Sequence, residues 1–130
     1  MKTIIVDDEI MAIKLVRNYL ERDKRVEIVG ECLDAGEALQ CVRERAVEAA
    51  FLDICIHGCM DGVELGKKLK ELNPQIVLIY TTGNAQYVDN AIDVEADFYL
   101  MKPLNAAELT FVVKKANELA LQLSLIHISE

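Results

Sequence analysis

Asp7, Asp8, Asp53, Thr82 and Lys102 are the residues of this 130-residue chain whose types and positions suggest chemistry. Each follows or closes a short apolar run. Ile4-Ile5-Val6 leads into Asp7-Asp8-Glu9, and Ala50-Phe51-Leu52 into Asp53-Ile54. Ile76-Val77-Leu78-Ile79 leads into Tyr80-Thr81-Thr82-Gly83, and Phe98 to Met101 into Lys102-Pro103. If these ends share one rim, three carboxylates, a hydroxyl and an ammonium converge there. Crowded carboxylates raise one another's pKa unless a cation sits among them, so the set asks for a hard divalent ion. All-oxygen ligation suits magnesium, or manganese, which takes one or two protein carboxylates together with a substrate phosphate. An oxygen of Asp53 could then attack a phosphoryl group as an aspartyl nucleophile. The metal and Lys102 would offset charge on the equatorial oxygens, and Thr82 would hydrogen-bond the new phosphoryl oxygen.

Taken singly, each motif has an ordinary structural use. Asp-Asp-Glu after a strand often only caps a helix, Thr-Thr-Gly often only turns, and Lys-Pro is a frequent loop dipeptide. Their occurrence together at four strand ends is what points to function.

The elements that must position these residues alternate along the chain. Strands are expected at Ile4–Val6, Val26–Val29, Ala50–Ile54, Ile76–Ile79 and Phe98–Met101, because each is a short, near-continuous apolar run. Between them, helical spacing recurs. Ala12, Val16, Tyr19 and Leu20 define a first helix, and Ala35, Leu39 and Val42 a second with Asp34 as N-cap. Leu65, Leu69 and Leu72 define a third, stopped at Asn73-Pro74. Val88, Ala91 and Ile92 give the fourth helix a narrow stripe, and Leu109, Val112, Val113, Ala116 and Ala120 mark the last, opened by an Asn105/Glu108 capping box. Five strands alternating with five helices predict a (βα)5 α/β fold. Its parallel sheet would be doubly wound and flavodoxin-like, in strand order 2-1-3-4-5, with ligands at the carboxyl ends where strands one and three flank the reversal.

Composition sets bounds on this reading. Apolar residues make up 52% and charged residues 28%, an ordinary globular balance. The net charge of -8, with Lys and Arg scattered, argues against direct nucleic-acid binding. No run is long enough to cross a membrane and the start lacks a signal-peptide pattern, so a cytoplasmic location is expected. Cys32, Cys41, Cys55 and Cys59 lack paired spacing and are expected to be reduced thiols. One domain is expected over residues 1–122. The tail 123–130, Leu-Ser-Leu-Ile-His-Ile-Ser-Glu, resembles translated cloning or adapter sequence; a longer last helix is the other reading.

Val6-Asp7-Asp8-Glu9, Phe51-Leu52-Asp53-Ile54, Thr82-Gly83 and Tyr99-Leu100-Met101-Lys102-Pro103 resemble the signature of bacterial two-component response-regulator receiver domains, over residues 1 to about 120. The spelling is most similar to receivers of LytTR-type regulators. The resemblance implies that Asp53 is the phosphoacceptor, Asp8 a direct magnesium ligand, Asp7 a ligand through water, and the Cys55 backbone carbonyl a further ligand. It implies Lys102 as a catalytic residue that offsets phosphoryl charge, Thr82 as the switch threonine and Tyr99 as the switch aromatic. Cys55 and Asn84 then tune phosphoryl lifetime. It also implies a sensor histidine kinase as partner, no catalysis beyond self-phosphorylation and autodephosphorylation, and a switching face made by the fourth helix, fifth strand and last helix, through which a homodimer can form. A LytTR-type DNA-binding output is absent from these residues, which fits either a stand-alone receiver or a fragment.

One segment departs from that pattern. The loop Cys55-Ile56-His57-Gly58-Cys59-Met60-Asp61-Gly62 lacks the usual proline and is one residue longer. It offers rival chemistry, a zinc or redox site at Cys55, His57 and Cys59, although structural zinc wants four ligands. A degenerate receiver serving only as an interaction module is the other alternative. Gly58, Gly62 and Gly66 fit neither nucleotide-binding glycine spacing.

Overall fold

A computed structural model describes residues 1–58, 60–83 and 96–128, and in it the apolar runs form one parallel sheet. The strands are β1 (Lys2–Val6), β2 (Glu27–Cys32), β3 (Ala49–Asp53), β4 (Val77–Thr82) and β5 (Phe98–Met101), in the order β2-β1-β3-β4-β5. The helices are α1 (Ile10–Leu20), α2 (Ala35–Glu44), α3 (Gly62–Leu72) and the C-terminal α4 (Ala106–Ile128). This is the doubly wound arrangement expected from the alternation of elements. The helix expected around Val88, Ala91 and Ile92 lies outside the described residues, as do Cys59 and Asn84.

The sheet is covered on both faces, which is why its central strands carry no polar alternation. All five residues of β3 and all six of β4 are buried. Successive side chains point to opposite faces. Ile4, Val6, Ala50, Leu52, Leu78 and Tyr80 therefore pack with Ala35 and Ala38 of α2 and Leu65 and Leu69 of α3. Ile5, Phe51, Val77 and Ile79 pack on the other face with Ile13, Val16 and Leu20 of α1 and the predicted stripe of α4. Fully buried Leu69 is worth about 2 kcal/mol relative to exposure.

Helix starts follow the expected chemistry. Asp34 Oδ1 accepts from Glu37 N at 2.8 Å, and Asn105 Oδ1 from Glu108 N at 2.7 Å. Asp61 caps α3 in the same way, accepting from Glu64 N at 2.9 Å.

Beyond shifts of one or two residues at other strand ends, three features differ from expectation. β2 runs to Cys32 because its pairing with β1 continues to Val6↔Cys32, past an irregularity between Thr3 and Ile4; as an edge strand it needs no continuous apolar run. β4 extends through Thr82, so Tyr80, Thr81 and Thr82 belong to the strand rather than to a turn. Leu72 is 43% exposed because the last turn of α3 passes Leu69, the final residue of that helix to be buried. Residues 121–128 continue α4, with Leu121 and Leu125 exposed and Leu123 packed against the α1/α4 core.

Candidate functional site

Strand register assembles the site. Val6 pairs with Leu52, so Asp7 and Asp53 emerge side by side one step further on. Asp53 pairs with Thr81, and Thr82 pairs with Met101, which brings Lys102 across the same rim. The Lys102–Pro103 peptide is cis.

The buried half of the site is a cation between two carboxylates. Lys102 Nζ donates to Asp7 Oδ2 at 3.1 Å and lies 3.5 Å from Asp53 Oδ2. Asp7 and Asp53 are 4% and 7% exposed, so water screens neither well. Backbone donors occupy their other oxygens: Glu9 N donates to Asp7 Oδ1 at 2.9 Å, and Cys55 N to Asp53 Oδ1 at 3.0 Å. Burial raises the Asp7 pKa above the ordinary carboxylate value, and the charge of Asp53 adds to it, against the Glu9 N–H and Lys102. Burial disfavours the Lys102 charge, but Asp53 and Asp7 together outweigh that and hold its pKa above the usual lysine value.

The outer half is Asp8, which is partly exposed and faces the loop after β3. Its Oδ2 accepts from His57 N at 3.2 Å and meets His57 Nδ1 at 2.6 Å. Desolvation opposes its charge, yet the His57 donors prevail and lower its pKa. The same contact raises the pKa of His57. One oxygen from each of Asp7, Asp8 and Asp53 lies within 4.8 Å of the others. A single lysine does not neutralise three carboxylates, so the set fits a hard divalent cation with oxygen ligands.

Thr82 and Tyr99 lie toward the α2/α3 face of the sheet. Tyr99 packs there and pairs in register with Tyr80, their rings stacked with centroids 6.2 Å apart and planes at 24°. Thr82, two residues beyond Tyr80, is buried with its Oγ1 4.0 Å from Cys55 Sγ. Tyr80 also anchors the loop. Its hydroxyl donates to Gly62 O at 3.0 Å, and Gly62 N donates to Ile54 O at 3.1 Å. A Cβ on Gly62 would collide with the Asp53 carbonyl, and one on Gly66 with the Tyr80 hydroxyl, so glycine lets α3 start directly against the strand that carries Asp53.

Of the rival soft-ligand set, Cys55 and His57 point to different partners, and Cys59 lies outside the described residues. The Cys55 thiol faces Thr82, whereas the His57 ring turns to Asp8. Cys32, Cys41 and Cys55 are free thiols. Burial pushes Cys32 up to about 12, the state of an inert core thiol. Sequence reasoning missed the His57–Asp8 contact and the Tyr80–Gly62 bond; the only hint of the first was that the loop lacks its usual proline.

A family model, the response regulator receiver domain, matches residues 3–114. This chain therefore belongs to the receiver-domain family of two-component response regulators. Among curated proteins it is similar to the sensory transduction protein LytT of Bacillus cereus, 31% identical over 115 residues, covering 88% of this chain and 46% of that protein. It is also similar to the transcriptional regulatory protein YpdB of Escherichia coli, 30% identical over 115 residues and covering 88% and 47%. The chain thus spans about half the length of these relatives. Among solved structures, the REC domain of the response regulator AraT from Geobacillus stearothermophilus aligns with a TM-score of 0.83 at 34% identity, covering 93% of this chain and 95% of that one. A CheY-like receiver domain protein from Methanospirillum hungatei aligns at 0.82 and 27% identity, covering 93% and 96%. Among the described residues, no helix is long and apolar enough to cross a membrane.

Proposed function

We propose that residues 1–122 form a phosphoacceptor unit in which Asp53 takes a phosphoryl group from a sensor histidine kinase in the cytoplasm. The observation that carries this reading is the Lys102 ammonium set 3.1 Å from Asp7 and 3.5 Å from Asp53, with oxygens of Asp7, Asp8 and Asp53 inside 4.8 Å of one another. Asp8, Asp53 and the Cys55 carbonyl would hold magnesium or manganese directly, and Asp7 through a water. When bound, the ion supplies positive charge to the phosphoryl oxygens and relieves repulsion among the carboxylates.

The chain's own residues do the rest. A carboxylate oxygen of Asp53 forms the O–P bond as the P–N bond to the donor imidazole breaks; that nitrogen keeps the electron pair and is protonated. Lys102 leaves part of its interaction with Asp53 to meet a phosphoryl oxygen, a charge-assisted bond that stabilises the developing charge. Thr82 turns its hydroxyl to the phosphoryl group, and Tyr99 repacks against Tyr80. The β5/α4 surface then changes its affinity for partners, which include a second copy and a LytTR-type output domain.

Beryllofluoride binding tests this reading. The wild type is expected to bind it only with magnesium present, with a changed Tyr99 environment by NMR. Magnesium-independent binding, or equal binding by Asp53→Asn, would overturn it.

A further inference from the structure

The loop after β3 touches Asp8 through His57. His57 stands 49 residues from Asp8 in sequence and gives it two contacts: ring Nδ1 at 2.6 Å and backbone N at 3.2 Å, both on Oδ2. Neither contact uses Oδ1. Facing a carboxylate, Nδ1 carries the proton and donates. Two donors on one oxygen fix the plane of the carboxylate and so aim the other oxygen. Asp8 is only partly buried and lies past the end of β1, so the two His57 contacts, together with its own backbone N–H, orient its carboxylate.

Two other roles for His57 fit the geometry less well. As a metal ligand, its ring nitrogens would have to join the oxygens that lie within 4.8 Å of one another; the clustered set is Asp7, Asp8 and Asp53 without it. As a structural residue, it would have to be packed, but its side chain is 87% exposed.

We infer that His57 is a positioning residue for the metal site, holding the Asp8 carboxylate in its ligating orientation by a hydrogen bond from Nδ1 to Oδ2. The inference rests on reading Asp8 as a magnesium ligand. Outer hydrogen-bond partners of metal ligands commonly contribute tenfold or more to affinity. The 87% exposed His57 side chain competes with water for this bond, so the lower end applies here.

Calorimetric titration of magnesium into the whole chain tests it. His57→Ala, which keeps the backbone N–H but removes the ring donor, should weaken binding by about tenfold. His57→Asn places an amide N–H at the same distance along the side chain as Nδ1 and should recover affinity to within about threefold of wild type. In chelator, His57→Ala should lower the thermal midpoint by no more than about 3 °C, the loss of one exposed contact, and His57→Asn should recover it. The inference is overturned if His57→Ala binds magnesium as tightly as wild type or more tightly, or if His57→Asn fails to recover affinity. It is equally overturned if the alanine variant loses zinc but not magnesium, since the imidazole would then be a ligand. Failure of the underlying reading looks different: Asp8→Asn would then bind magnesium like wild type.

Discussion

Asp7 and Asp8 are adjacent in the chain and belong to opposite halves of one site. Asp7 is 4% exposed, gripped by Lys102 and the Glu9 N–H, and its pKa is raised, chiefly by burial. Asp8 looks outward, is held by His57, and its pKa is lowered despite some desolvation. The inner half is made by strand register and cannot be moved without moving the sheet. The outer half is made by a loop, and a loop can be changed freely. The charge chemistry of the inner half is fixed by the fold, whereas the orientation of the Asp8 carboxylate is a local choice of this chain.

Breaking the inner half should have the larger effect. Lys102→Met leaves Asp7 and Asp53 buried without their cation, and unfolding in chelator should show a loss of about 2–3 kcal/mol, toward the lower end for a broken buried pair. Added magnesium should recover most of it. A loss that magnesium does not recover would mean that Lys102 matters for packing and not for charge.

Next in size is Tyr80→Phe, which removes the hydroxyl donating to Gly62 O and leaves a buried carbonyl without that partner. A cost of about 1–2 kcal/mol is expected in denaturant unfolding. The same change should broaden NMR signals of residues 55–62 more than those of β1. Uniform effects on both would dissolve the distinction between a fixed half and a loop-made half.

The smallest effects carry the sharpest contrast, because they have opposite signs. A raised Asp7 favours the protonated folded state, so its contribution is fully present below its ordinary pKa and is lost as pH rises through the folded value. A lowered Asp8 contributes above its ordinary pKa, and that is lost as pH falls through its folded value. At neutral pH without metal, Asp7→Asn should raise the melting midpoint and Asp8→Asn should lower it, each by about 3 °C. Shifts of the same sign would contradict the division.

Much of this could be read before any coordinates. Buried strands such as Ala49–Asp53 and Val77–Thr82 announce themselves because both faces are covered and every residue must be apolar until the rim. The residue that breaks each run is then a rim residue, which is how Asp7, Asp53 and Lys102 could be brought together from sequence. Caps at Asp34 and Asn105 were readable because their bonds span three residues. The His57–Asp8 contact was not, since it joins residues 49 apart through a loop with no periodicity. Nor was the Tyr80 hydroxyl, whose residue type says only that a large side chain is buried; its bond depends on Gly66 leaving room. The full extent of β2 escaped for a related reason, since an edge strand needs no continuous apolar signal.

Asp53 as the proposed phosphoacceptor is open to chemical trapping. Incubation with acetyl phosphate and magnesium, borohydride reduction of the acyl phosphate to homoserine, and peptide mass spectrometry test it directly. Homoserine is expected at position 53 and nowhere else, in a magnesium-dependent yield. Homoserine at Asp7 or Asp8, or the same yield in chelator, would contradict it.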